Sequence, residues 1–92
     1  MTGFHPGVPG SDFIAAGLAD LERGLESIPA LLVSIGAPRL VASGVPVPRP
    51  LPDAEHALYA RLQQDDPSAA HSRYNALIRR LVSFERALGC AR

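Results

Sequence analysis

The sequence predicts an all-α fold in which helices of different lengths pack side by side. Two stretches place apolar residues at alternating spacings of three and four, which gives an α-helix one apolar side. These residues are Ile14, Leu18, Leu21, Leu25, Ile28, Leu32 and Ile35 in the first stretch, and Ala70, Tyr74, Leu77, Leu81, Phe84 and Leu88 in the second. Five of the nine prolines lie within residues 36–52, between the two stretches. We therefore expect two long antiparallel helices plus one short helix, joined by a proline-rich crossover.

The length and composition predict one small domain outside the membrane. Ninety-two residues allow a single domain with only a modest core. Residues 1–10 contain three glycines and two prolines, so we expect a flexible N-terminal tail followed by a helical domain over residues 11–92. The start lacks the basic and apolar regions of a secretory signal, and no segment approaches the roughly 20 apolar residues that span a bilayer. Cys90 is the only cysteine, which excludes a disulfide scaffold and favours a cytoplasmic location.

The first helix is expected over about residues 12–35. Ser11 or Asp12 offers a side-chain oxygen to cap the N-terminus of the helix. Gly36 is typical of a residue that follows a helix C-terminus. At 1.5 Å per residue, a helix of this extent is roughly 36 Å long.

Three residues inside this segment oppose a regular helix. Pro29 removes a backbone hydrogen bond, so we expect a helix kinked near Pro29, or two helices in line with Ser27 capping the second. Gly17 and Gly24 lie seven residues apart, and each lowers helix stability by roughly 1 kcal/mol relative to alanine. The pair indicates either a groove that another helix approaches closely or simply a weak helix.

The connector is expected over residues 36–52. Proline alternates with other residues from Val45 to Pro52, a pattern that favours an extended polyproline II conformation. Its valine and leucine side chains are expected to cover part of the core. A ligand for a proline-binding groove is the alternative, but a stiff connector explains the same residues.

Two further helices are expected after the connector. The short one should occupy about residues 53–64, and the last long one about residues 67–88. Asp66 is a favourable N-cap and Pro67 a favourable first helical residue.

The charge is balanced overall but unevenly distributed. The formal net charge is zero and all nine basic residues are arginine. Residues 1–66 carry eight of the nine acids, whereas residues 67–92 carry five arginines and one acid. This asymmetry predicts an acidic first helix beside a basic last helix.

Four arginines flank the apolar side of the last helix in two pairs, which are Arg73 with Arg80 and Arg79 with Arg86. One interpretation is an arginine-mediated nucleic-acid binder. Such proteins usually combine a net basic domain with a recognisable docking motif, and this chain has neither. We therefore expect no nucleic-acid partner and predict that these side chains cover the apolar edge and meet Asp20, Glu22 or Glu26.

The apolar side of the last helix is too broad for one neighbouring helix, because Ile78 and Val82 widen it. A helix with so broad an apolar side is typical of a bundle, and a second copy is the commonest way to complete one. We therefore expect a homodimer. The predicted interface consists of His71, Tyr74, Leu77, Ile78, Leu81, Val82 and Glu85.

The same helix offers one pair of complementary charges for that dimer. His71, Ile78 and Glu85 form a series with seven-residue spacing. Within one helix, His71 and Glu85 are about 21 Å apart. If two copies pair antiparallel about Ile78, His71 of one copy meets Glu85 of the other.

Candidate reactive groups are few. Asp53, His56 and His71 are weak candidates for a metal site, which needs three or four ligands. The sequence contains no zinc-binding cysteine and histidine cluster, no phosphate-binding loop and no nucleophile motif. We expect neither catalytic residues nor a cofactor.

The sequence therefore favours a non-enzymatic small helical protein that acts as a homodimer and binds or regulates another protein. One alternative is a metal- or small-molecule-binding bundle that uses His56 and His71 with nearby carboxylates. The other alternative is the arginine-mediated nucleic-acid binder.

Overall fold

The computed structural model describes residues 10–91, which form five α-helices. The helices are α1 (Ser11–Glu22), α2 (Ile28–Ile35), α3 (Ala37–Ala42), α4 (Ala54–Asp65) and α5 (Ala70–Ala91). No strand occurs within this range, which confirms the all-α class. The flexible tail expected over residues 1–10 lies outside the described residues, apart from Gly10.

The predicted kinked helix over residues 12–35 is wrong, because α1 and α2 are separate and pack against each other. The chain turns between them at Gly24, whose φ of 75° lies in the left-handed region that glycine adopts readily. Ser27 caps α2 as expected, and its Oγ accepts a hydrogen bond from the Ala30 amide at 3.2 Å. Pro29 therefore lies in the first turn of α2, where its missing N–H breaks no helical hydrogen bond.

Gly17 permits the close approach of α1 and α2. A Cβ atom at this position would lie 2.8 Å from the carbonyl carbon of Pro29 and 2.9 Å from Cγ1 of Val33. The groove interpretation is thus correct for Gly17, and the approaching helix belongs to the same chain. A Cβ atom at Gly24 would meet nothing within 4 Å. Gly24 is therefore suited to the turn by its backbone conformation and not by a close contact.

Helix α2 lies at the centre of the fold and contacts each of the other four helices. Five consecutive residues of α2 are buried, namely Ala30, Leu31, Leu32, Val33 and Ser34. Leu31 is 0% exposed although it lies outside the predicted apolar side, whereas Leu25, which lies within it, is 47% exposed. The spacing predicted one apolar side for this segment, whereas α2 is buried on all sides.

The first part of the predicted connector over residues 36–52 is helical, since it contains α3. The extended conformation was expected only from Val45 to Pro52, which α3 does not reach. Gly36 ends α2 and its carbonyl accepts the Leu40 amide at 2.9 Å, so the same residue begins α3. Pro38 occupies the first turn of α3. Proline is favourable in the first turn of a helix, just as it is after the end of one.

The rest of the connector packs on the core. Val45 is buried, and the Leu51 amide donates a hydrogen bond of 2.9 Å to the Ser34 hydroxyl on α2. Arg49 has a φ of 44°, a left-handed conformation that interrupts polyproline II geometry.

The last two helices differ from the prediction mainly at the two ends of α5, which continues through Gly89 to Ala91 instead of ending at residue 88. Helix α4 begins and ends one residue later than expected, and α5 begins at residue 70 instead of 67. Residues 67–69 form a turn that is closed by a 3.1 Å hydrogen bond from the Ala69 amide to the Asp66 carbonyl. The Asp66 carboxylate accepts a hydrogen bond from Ser68 Oγ at 2.9 Å.

The predicted packing of the first and last helices along each other is wrong. Helix α5 packs on α4 and α2. Its contact with α1 includes the Arg80 guanidinium, which lies 4.9 Å from the ring centre of Phe13. Among residues 10–91 no ion pair joins α1 to α5, so the charge asymmetry does not bring these helices together.

Candidate functional site

Helix α5 carries two neighbouring lines of side chains. The first faces the core and contains the buried residues Ala70, Leu81, Phe84 and Leu88. At 100° per residue, an adjacent sector contains His71, Tyr74, Asn75, Ile78, Val82 and Glu85, which we call the α5 stripe. His71 is exposed and the other five are half-buried. The fold therefore leaves this second line partly uncovered.

An open groove of about 370 Å³ runs beside the α5 stripe. Its other walls include Pro38 and Arg39 of α3 and Glu55 of α4. A second depression of about 320 Å³ shares Arg39, Val82 and Glu85 with it, so the two form one continuous surface, which we call the α5 groove.

The α5 groove brings together five of the seven predicted interface residues, namely Tyr74, Ile78, Leu81, Val82 and Glu85. Leu81 is buried within the chain and contributes only to the floor. Leu77 packs half-buried against the core. His71 lies at the end of the stripe, with its Nε2 3.2 Å from Asn75 Nδ2.

Glu85 is the most unusual group in the α5 groove. Its side chain is 10% exposed, and its Oε1 lies 3.8 Å from Nη1 of Arg39, whose side chain is 77% exposed. Burial raises the pKa of the Glu85 carboxyl above its ordinary value of 4.5, and the Arg39 charge opposes this rise only in part. The groove therefore contains a carboxylate that would gain from a further cationic or hydrogen-bond-donating neighbour.

Gly36 makes room for this carboxylate at the α2–α3 junction. A Cβ atom at Gly36 would lie 2.8 Å from Glu85 Oε2 and 2.8 Å from Leu81 Cδ1. Neither Gly36 nor Arg39 was predicted as part of the site, because both lie in the predicted connector. Gly36 followed by Pro38 is the sequence feature that could have predicted a helix here, since this pair suits a helix start as well as a helix end.

Tyr74 forms the opposite end of the groove. Its ring meets that of Tyr59 edge to face, with centres 5.6 Å apart and planes at 79°. Burial, and then the negative charge of Glu55, raise the pKa of the Tyr74 hydroxyl above 10.0. Both ends of the groove therefore lie close to a carboxylate.

The weak metal candidates Asp53, His56 and His71 are all exposed. Among the described residues, no group of three or more histidine, cysteine, aspartate and glutamate side chains is placed to hold a metal ion.

The flanking arginines have different surroundings from those predicted. Arg73 pairs with Asp65 of α4 at 2.6 Å, rather than with an acid of the first helix. Arg80 covers Phe13. Within the described part of the chain, Arg79 and Arg86 form no ion pair, so these two guanidiniums remain at the surface beside the α5 stripe.

Replacing Glu85 by glutamine is expected to stabilise the fold at pH 7. The raised pKa means that the folded state favours the protonated carboxyl, so the charged form costs stability above that pKa. The advantage of Glu85→Gln should therefore shrink as the pH falls through the raised pKa towards 4.5. Urea unfolding of both proteins at several pH values measures this difference.

The matched control is Glu22→Gln, which makes the same chemical change at an exposed residue of α1. The lowest workable protein concentration keeps any dimer from contributing to the measured stability. Equal stability of the Glu85→Gln variant and the wild type from pH 4 to pH 7 would show that the carboxylate is not destabilised by burial.

The chain matches no protein-family model, and comparisons with curated proteins and with solved structures find no significant match. In the range that the structure describes, no helix has the length and apolar character needed to cross a membrane. The α5 groove is therefore the feature from which function is inferred.

Proposed function

We propose that this protein is a non-enzymatic interaction protein that acts as a homodimer, with the α5 groove as the surface that receives the second copy. The observation that supports this proposal is the continuity of the groove along the helix. Ile78 and Val82 provide apolar surface in its middle, and Glu85 provides a charge near one end. An apolar centre with a polar rim is the usual anatomy of a protein–protein interface.

The groove suits a helix better than a small molecule. It is open and follows α5 from Tyr74 to Glu85, about 16 Å at 1.5 Å per residue. Small-molecule sites are usually concave and bury most of the ligand surface. An elongated open groove instead matches the recognition of an amphipathic helix, which places residues at spacings of three and four into it.

The other two functions have less support. A metal-binding bundle needs convergent ligands, and the candidates His56 and His71 are exposed on different helices. A nucleic-acid binder needs a basic surface, but Arg73 and Arg80 already have neighbours within the chain.

Replacing Val82 by arginine is expected to convert the dimer to a monomer of 9.7 kDa. The new charge would lie in the apolar middle of the interface, where an unpaired charge costs several kcal/mol. A cost of about 3 kcal/mol weakens dimerisation by roughly 100-fold. Sedimentation equilibrium over a range of protein concentrations measures the dissociation constant.

Ala76→Arg is the control, because Ala76 is exposed on α5 outside the stripe. It should leave the dissociation constant within about threefold of the wild-type value, since exposed substitutions cost little. A wild-type protein that stays monomeric at millimolar concentration would contradict the proposed function.

A further inference from the structure

Four residues of the α5 stripe are placed symmetrically about Ile78. Tyr74 and Val82 lie four residues before and after it, and His71 and Glu85 lie seven residues before and after it. When two copies of a helix pair antiparallel about one residue, positions equally distant from it on opposite sides face each other. Tyr74 would then face Val82 of the partner subunit, and His71 would face Glu85 of the partner subunit.

A parallel pair would place identical residues opposite each other. The Glu85 carboxylate of each copy would then meet the same carboxylate of the other, within a groove where this side chain is only 10% exposed. Like charges in close contact destabilise a pair, and the effect grows as water is excluded. Charge complementarity therefore selects the antiparallel arrangement.

His71 is suited to be the cationic neighbour of that carboxylate. It is exposed in the single chain, so it does not have to leave a core position to reach a second copy. Two charged groups already face the Glu85 end of the groove, which are Arg39 from α3 and Arg86 from α5. Glu55 from α4 lines the groove near Tyr74, at the other end. The Arg39 guanidinium is at 3.8 Å and mostly in solvent, which leaves the carboxylate incompletely paired.

We propose that α5 pairs antiparallel with α5 of a second copy about Ile78, so that Glu85 forms an ion pair with His71 of the partner subunit. This register rests on the proposed homodimer and specifies its geometry. Each dimer then contains two identical ion pairs, one at either end of the contact. The two pairs are separated by about 21 Å along the helix axis. The apolar contacts of Tyr74 with Val82 of the partner subunit lie between them.

Arginine charges oppose this pairing at two places. Arg39 and Arg86 lie beside Glu85 and repel a cationic His71 of the partner subunit. Arg79 follows Ile78 directly, so the Arg79 side chains of the two copies approach each other at one edge of the contact. Arg79 is exposed, and solvent-exposed charges interact by less than about 1 kcal/mol. The two ion pairs at the ends and the apolar middle must outweigh this repulsion.

Complementary charge variants test the register. In His71→Glu, two carboxylates would face each other at both ends of the dimer, and in Glu85→Lys two cationic side chains would do so. Each variant alone should therefore dimerise at least about tenfold more weakly than the wild type. An equimolar mixture should restore the affinity, because the heterodimer again pairs opposite charges at both ends. Sedimentation equilibrium of each variant and of the mixture measures this.

The matched controls are His56→Glu and Glu22→Lys, which make the same charge changes at exposed positions outside the stripe. Their mixture should dimerise like the wild type. If the wild type dimerises but the His71 and Glu85 variants are not rescued by mixing, the register is wrong while the proposed homodimer stands. If the wild type is monomeric, both proposals fail.

A second measurement covers the case in which Glu85→Lys does not fold beside Arg39. His71→Ala, Glu85→Gln and the double variant then form a double-mutant cycle on the dissociation constant. The register predicts a double variant that is weakened less than the two single effects combined. Strictly additive effects would overturn it.

Discussion

Leu31→Ala is expected to lower the free energy of unfolding by about 3 kcal/mol. Leu31 is 0% exposed and lies in α2, which the other four helices surround. Removing its branched end would leave a cavity that close packing on every side prevents from collapsing. Urea denaturation followed by circular dichroism measures the change, which is a large part of the stability of a small domain.

Leu25→Ala is the matched control, because it deletes the same atoms from a side chain that is 47% exposed. It should change the free energy of unfolding by less than about 0.5 kcal/mol. The apolar spacing alone predicts the reverse order, since Leu25 belongs to the repeating series and Leu31 does not. A larger effect at Leu25 than at Leu31 would contradict the central position of α2.

Gly17→Ala is expected to destabilise the protein by at least about 2 kcal/mol. The added Cβ would lie 2.8 Å from the Pro29 carbonyl carbon, and a backbone atom cannot move aside without separating α1 from α2. This strain should exceed the roughly 1 kcal/mol that alanine gains over glycine in a helix. Thermal unfolding of the variant and the wild type measures the loss.

Gly24→Asn is the corresponding control at the other glycine of the pair. Its surroundings are open, and asparagine tolerates the left-handed conformation that Gly24 adopts. The cost should stay below about 1 kcal/mol. If Gly17→Ala instead raised the melting temperature, α1 and α2 would not pack as closely as described.

The apolar spacing predicted helices correctly but not their arrangement in space. The series continues from Leu21 through Leu25 to Ile28, although the chain leaves the helix between them and turns back. A spacing of three and four cannot distinguish one long helix from two shorter ones joined by a turn. Ser27 and Pro29 support the alternative of two helices, since a capping residue followed by proline is typical of a helix start. They do not show that the chain turns back between the two helices.

The apolar run over residues 28–35 is typical of a helix that is buried on all sides, but the spacing of three and four does not identify such a helix. A helix that is apolar on all sides has no distinct apolar side, so its partners cannot be identified from spacing. The helix α3 was missed for a related reason. Gly36 and Pro38 suit both the end of one helix and the start of the next, and only the tertiary structure shows that they do both.

The candidate site was predictable where it depends on one helix. Tyr74, Ile78, Val82 and Glu85 belong to α5, so helical periodicity places them together. Arg39 reaches Glu85 from α3 across 46 residues of sequence, and no local pattern connects them. Contacts between distant segments are set by the packing of the whole chain.

The central position of α2 also determines how the molecule can come apart. An isolated helix of eight residues is too short to be stable in water, so α2 depends on neighbours that both precede and follow it in the chain. A fragment ending before α4 would leave one side of α2 uncovered, and a fragment beginning after α1 would leave another. Neither fragment contains a complete core, so we expect residues 11–88 to fold and unfold as one cooperative unit.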